Sequence, residues 1–206
     1  MHADLLTPAE AAVVASVTVR DINRVIDEKI LPDGFYTVEG GRRVRLAACP
    51  MVGFYFRAAR ALTSEERLLV IRRYSERLDG AAPRDHTVHD GFLSVDLGGF
   101  VAEADERALR LAEAQEMVVE DAAILGGTPV IRGTRIPVFD VIASLAAGMP
   151  RERVLAAYPG LDETALDLAL LFAEATPVRG RPRRSPALPA GATVVSERKV
   201  ARRRTA

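Results

Sequence analysis

In the first eighty residues the apolar positions recur every three or four residues in short runs, and three of these runs open on a threonine. Leu6-Thr7-Pro8-Ala9-Glu10 predicts a helix start: Thr7 is the N-cap, Pro8 takes the first helical position, and Glu10 reaches back as the capping-box partner. Ala11 to Ala15 continue that helix, and Ser16-Val17-Thr18 makes a turn. Thr18 with Asp21 repeats the cap for a second helix to about Lys29. On this second helix Val19, Ile22, Val25 or Ile26, and Ile30 are expected to face inward, which leaves Arg20, Asn23, Arg24, Asp27 and Glu28 toward solvent. The period then changes. Phe35-Tyr36-Thr37-Val38 and Val44-Arg45-Leu46 flank Glu39-Gly40-Gly41-Arg42, a predicted hairpin with Arg42 at its tip and Arg43 and Arg45 on one face. Two helices are expected next, Pro50 to Ala61 and Thr63 to Leu78, the second opened by Thr63-Ser64-Glu65-Glu66, with Phe54, Tyr55, Leu68, Leu69 and Ile71 as apolar faces.

Asp79 to Arg84 turns to Gly, Ala, Pro and charge and marks a boundary. Thr87 to Val95 alternates around Asp90-Gly91 and reads as a hairpin ended by Gly98-Gly99; Val101 to Glu116 follows as an acidic helix with Leu109, Leu111 and Ala112 apolar. Such a hairpin and helix are too small for their own core and must dock on a neighbour or a second copy. Ile124 to Val138 predicts strand, turn, strand: Gly126, Gly127 and Gly133 suit tight reversals, Pro129 and Pro137 fix φ, and Val130-Ile131 is β-branched. Three helices are then expected, Pro137 to Ala147 closed by Gly148, Pro150 to about Ala157, and Asp162 to Ala175. Beyond Ala175 periodicity is lost among Pro177, Pro182, Pro186 and Pro189, and a disordered tail is expected. The fold class is mainly α with small β-hairpins. The expected division is a winged helix-turn-helix over 1–80, a hairpin and helix that connect or dimerise over 81–116, a trihelical, helix-turn-helix-like domain over 117–176, and an arginine-rich tail over 177–206.

Charge sharpens this picture. Lysine plus arginine and aspartate plus glutamate both number 28, yet the residues from Thr176 onward hold nine basic groups against one acidic. Met1 to Leu78 is mildly basic and Asp79 to Ala175 strongly acidic, so three electrostatic regions follow one another. No apolar run has the length of a membrane span, and the amino terminus lacks the basic-then-apolar order of a signal peptide, so a cytoplasmic location is expected. Cys49 is the only cysteine and reads as a small buried apolar side chain. His86 and His89 fall on opposite faces of a strand and make a poor metal pair. Nucleophile elbow, phosphate loop, metal cluster and paired His and acid are all missing from the pattern, so neither enzyme activity nor a cofactor is expected.

Two resemblances add to the residue reading. The run Gly126-Gly127-Thr128-Pro129-Val130-Ile131-Arg132-Gly133-Thr134-Arg135-Ile136-Pro137-Val138, then Ala147-Gly148-Met149 and Ala157-Tyr158-Pro159-Gly160-Leu161, resembles the domain-of-unknown-function family 433 over roughly Val118 to Ala175. That resemblance implies a small trihelical unit of the kind found in bacterial antitoxins of the VapB type, paired with PIN-like toxins. Leu5 through Ala12, continued to the Gly40-Gly41-Arg42-Arg43 wing, resembles MerR-like or excisionase-like DNA-binding domains. On this reading Thr18, Arg20, Asn23, Arg24, Arg42, Arg43 and Arg45 contact DNA, since arginine suits guanine or phosphate and asparagine suits adenine. Toxin contacts are expected at Arg132 and Arg135 and in the tail at Arg179, Arg181, Arg183, Arg184 and Arg198. The implied function is the antitoxin of a type II toxin-antitoxin system, which neutralises a PIN-like ribonuclease and represses its own operon. Its partners would be that toxin and operator DNA, with no membrane, as a homodimer or a hetero-oligomer with the toxin. The alternative is a stand-alone transcription regulator whose basic tail adds phosphate contacts.

Overall fold

The computed structural model describes residues 4–78 and 85–177 of the 206. It is mainly helical, with eight α-helices among the described residues and three small antiparallel sheets. The expected disordered tail and the boundary at Asp79 to Arg84 lie outside the described residues.

Local capping sets the first helices. In α1 (Pro8–Ala15) the Thr7 backbone N–H donates to Glu10 Oε2 at 2.7 Å while Thr7 Oγ1 accepts from the Glu10 N–H at 3.2 Å. In α2 (Val19–Asp27) Thr18 and Asp21 repeat the exchange, so two of the orphan donors at each start are satisfied. Between them Ser16 takes a left-handed conformation, φ 54°. α2 ends at Asp27, two residues early, because Lys29 also sits at positive φ. Val19, expected inward, is exposed: it stands in the first turn, beyond the face that Ile22, Val25 and Ile26 bury.

The expected hairpin is the strand pair β2 (Tyr36–Thr37) and β3 (Arg43–Arg45), with a third strand, β1 (Leu5–Leu6), on the other edge of β3. Val44 is therefore central and fully buried, with Leu6 and Tyr36 as its partners in register. Next come α3 (Cys49–Arg57), a 3-10 turn (Ala58–Arg60) and α4 (Ser64–Leu78). Arg67 pins α4 to α3: its buried guanidinium donates to the Tyr55 carbonyl at 2.6 Å and the Thr63 carbonyl at 3.2 Å, and lies 4.3 Å from the Tyr55 ring. Gly53 lets α3 approach the end of α1; a Cβ there would stand 3.0 Å from the Ala15 carbonyl oxygen, which belongs to backbone and cannot turn away.

β4 (Thr87–Asp90) pairs with β5 (Leu93–Asp96), and since Asp90 faces Leu93 the reversal is Gly91-Phe92 rather than Asp90-Gly91. α5 (Gly98–Met117) begins earlier than expected, because Asp96 Oδ1 accepts the Gly98 N–H at 2.7 Å and the two glycines form the first turn. Its buried face is Ala104, Leu111 and Ala114, whereas Leu109 is exposed. Ile124-Leu125, expected as a strand, is a 3-10 turn (Leu125–Gly127) in which Asp121 accepts backbone N–H groups from Ile124 and Gly127. The partner of β7 (Val130–Ile131) is instead β6 (Val118–Val119), directly after α5. α6 (Val138–Ala146), α7 (Arg151–Ala157) and α8 (Glu163–Ala175) follow as the last helices among the described residues, with Gly148 at φ 88° and Asp162 capping the Ala165 N–H at 2.7 Å.

Two apolar clusters result. One gathers α1 to α4, the small sheet, Val88, Leu97, Ala104 and Leu111; the other gathers Ala114, Ile131, Val138, Val141, Val154, Leu161, Leu166, Ala169 and Phe172. α5 contributes to both. No helix among the described residues is long and apolar enough to cross a membrane.

Replacing Leu111 by alanine is expected to cost about 2–5 kcal/mol, the range for emptying a buried leucine site, read as a lower denaturation midpoint. Burial pushes the Cys49 thiol up to about 12, so it stays protonated and inert at neutral pH. A disulfide exchange reagent is therefore expected to leave native protein untouched and to titrate one thiol only after denaturant is added; fast labelling of folded protein would contradict this.

Candidate nucleic-acid interface

The outward side of α2 and the β2–β3 loop form one surface. Gly40 at φ 68° and Gly41 at φ 114° turn the loop so that Arg42, expected at the tip, lies against α2. Its Nη2 donates to Asp27 Oδ1 at 2.7 Å, and its Nη1 donates to Asp27 Oδ2 at 3.2 Å and to Asn23 Oδ1 at 2.8 Å. Asn23 in turn donates from Nδ2 to the Val19 carbonyl at 3.0 Å. Arg24 runs along the helix to Glu28, with Nε to Oε1 at 2.9 Å, and this bond raises its already high pKa. Arg45 pairs with Asp4 at 3.3 Å and stacks 5.5 Å from the Phe35 ring. Thr18 is committed to its cap: besides accepting from the Asp21 N–H, its hydroxyl donates to Asp21 Oδ2 at 2.7 Å. Arg20 is exposed and Arg43 half-buried, and among the described residues neither is hydrogen-bonded to a side chain. Of the seven residues expected at DNA, the structure thus joins Asn23 and Arg42 directly and leaves Arg20 and Arg43 as the guanidinium groups most available to a phosphate or base edge.

Beside the first turn of α2 lies a groove of about 1110 Å³ that sequence reasoning missed. Val13, Val17, Val19, Phe56, Leu170 and Leu171 give it an apolar floor, and Arg57, Arg107, Arg110, Asp167 and Glu174 line its rim. Part of the rim is paired with residues outside it. Arg57 donates to Glu103 at 2.7 Å and Arg107 donates to the same carboxylate at 3.2 Å, the first bond being the main reason that the Glu103 carboxyl titrates below its ordinary range, while Arg151 donates to Asp167 at 2.7 Å. The elements around this groove are far apart in sequence, so no local signal could have announced it.

The two arginines expected at a toxin in the 118–138 stretch separate in role. Arg132 caps α5: its Nε donates to the Glu116 carbonyl at 2.8 Å, its Nη2 bonds the same oxygen, and its backbone N–H reaches the Met117 carbonyl at 2.7 Å. Arg135 is exposed beyond Gly133, which turns the chain at φ 75°. Arg179, Arg181, Arg183, Arg184 and Arg198 lie outside the described residues. His86 is engaged with Tyr74, Nδ1 to hydroxyl at 2.8 Å, and His89 is exposed on the other face of β4.

Residues 118–173 match the family model described as protein of unknown function (DUF433). Along nearly its whole length the chain is similar to the uncharacterized protein y4eO of Sinorhizobium fredii, at 51% identity over 210 residues that cover 98% of this chain and 95% of the relative. Among solved structures it is similar to Rv2018 from Mycobacterium tuberculosis, at 18% identity and a TM-score of 0.35, over 82% of this chain and 97% of that one.

Proposed function

We propose that this chain, which belongs to the same family as the Sinorhizobium fredii protein y4eO and matches the DUF433 model over residues 118–173, is the antitoxin of a type II toxin-antitoxin pair that also represses its own operon. In this reading α1 and α2 are a helix-turn-helix, with α2 as recognition helix and the β2–β3 loop as wing. α6, α7 and α8 form the trihelical domain that docks a PIN-like ribonuclease. The protein works in the cytoplasm as a dimer on a two-fold operator. The observation behind the DNA half is that Arg42 meets Asn23 and Asp27, which joins the β2–β3 loop to α2, with Arg20 exposed on the same helix. The antitoxin half rests on the resemblance of the 118–138 motif to domains found in antitoxins, and on the charge of the tail. Eight arginines and one lysine follow Thr176, and a planar guanidinium binds carboxylates such as those of a PIN-type metal site through two parallel hydrogen bonds.

Replacing Arg20, Asn23 and Arg24 together by alanine is expected to abolish sequence-specific binding, since each good base contact contributes about 1–3 kcal/mol. Arg43→Ala is expected to weaken binding to any duplex and to lower the salt slope by about one. A mobility shift with DNA from upstream of the gene checks both, and an unchanged shift by the triple variant would mean that α2 is not the reading helix. Deleting Pro177 to Ala206 is expected to leave operator binding largely intact while greatly weakening neutralisation of the cognate toxin, with Arg179 to Arg184 contributing most. Ribonuclease activity measured against added full-length or truncated protein decides it; equal inhibition by both would assign the blocking to the trihelical domain.

A further inference from the structure

We infer that Arg42 is a positioning residue for DNA recognition: from the wing it cancels the charge of Asp27 and fixes the orientation of the Asn23 amide, so that the wing determines what α2 presents. The inference rests on the DNA-binding reading above. The outward face of α2 carries Asp27 among Arg20, Asn23 and Arg24, with Glu28 just past its end, and a free carboxylate there would stand against phosphate. Glu28 is answered within the helix by Arg24 at 2.9 Å. Among the described residues Asp27 is answered only from the wing, where both of its carboxylate oxygens accept from the two terminal nitrogens of one guanidinium. The third contact of that guanidinium goes to Asn23 Oδ1, while Asn23 Nδ2 is held by the Val19 carbonyl, so the amide is tied at both ends and points one way round. Gly40 and Gly41 supply the positive-φ turn that brings Arg42 to this place. Three of the hydrogen bonds this guanidinium can donate are thus spent inside the protein, although it stands at the wing where a phosphate contact would be sought.

The experiment measures binding of full-length protein to a duplex taken from immediately upstream of its own reading frame, by fluorescence anisotropy over a range of salt, with a thermal melt of each variant to check folding. The variants are Arg42→Ala, Arg42→Ala with Asp27→Asn, Arg42→Ala with Glu65→Gln, and Arg20→Ala. Glu65 is an exposed carboxylate on α4, so its replacement restores net charge without touching α2. Arg42→Ala is expected to bind about tenfold more weakly, the Asp27→Asn pairing to return within about twofold of the native chain with its salt slope, and the Glu65→Gln pairing to stay weak. Three results would overturn the inference: no loss in Arg42→Ala; a double variant with Asp27→Asn that stays weak and loses about one unit of salt slope, as for a direct phosphate contact; or equal rescue by Glu65→Gln, as for net charge alone. If the native chain does not prefer this duplex to unrelated DNA, or Arg20→Ala binds as well as the native chain, the DNA reading itself falls and this inference with it. That outcome is separate, because it appears before Arg42 is changed.

Discussion

The structure depends on α5 serving both apolar clusters from one buried face. A helix that must bury one stripe can be satisfied by one partner, but here Ala104 and Leu111 enter the cluster built by the first four helices, and Ala114 enters the cluster built by the last three. The small residues matter because they let neighbouring helices come close enough for both clusters to stay dry. Polar contacts then fix the helix along its length. Phe100 meets Phe54 edge to face, Arg57 lies 4.3 Å from the Phe100 ring while holding Glu103, Gln115 donates to Glu10 of the α1 capping box at 2.8 Å, and Arg132 closes the last turn. Each of these half-exposed contacts is weak alone, yet together they leave α5 one rotation about its axis that satisfies all of them.

The arginines of this chain do several unlike jobs that composition cannot separate. Arg67 is buried and serves the Tyr55 carbonyl near the end of α3, where the helix dipole is negative; Arg132 does the same at the end of α5; Arg42 spans two elements; Arg24 and Arg107 brace their own helices. What differs is the neighbouring oxygen. The donor fork is the same in all of these places, so its role is set by whether it faces a carbonyl, a carboxylate or open water.

The parts legible in the sequence are those decided within four residues. Thr7 with Glu10, Thr18 with Asp21, Thr63 with Glu66, and Asp162 are local hydrogen-bond arrangements, and each opens its helix within a residue of the expected place. The β2–β3 pair is legible from its two glycines. The illegible parts depend on distant partners. Leu5-Leu6 becomes a strand only because β3 has an open edge; Val118-Val119 claims Val130-Ile131 before Ile124-Leu125 can; and Leu109 faces solvent because docking of α5, rather than its own pattern, decides which stripe is covered. In the candidate interface, the helix and loop are legible as neighbours, but the acid that absorbs Arg42 is not, since nothing near Asp27 in sequence points to the wing.

The overlap of α5 with both clusters bears on how this chain can have been put together. The DUF433 match spans residues 118–173 and starts just where α5 has ended, as though a movable cassette began there. The cassette is nonetheless incomplete at its own edges. Its cluster closes over Ala114, with Met117 packed against it, both from upstream of the match. At the other end α8 runs on to Ala175, which is buried in the first cluster, and Leu171 touches both. A protein that acquired only the matched stretch would carry an apolar flank with nothing to lie on. In this chain the matched stretch covers its flank only with α5 in place, so a cut between Met117 and Val118 would leave bare an apolar surface that the native fold hides.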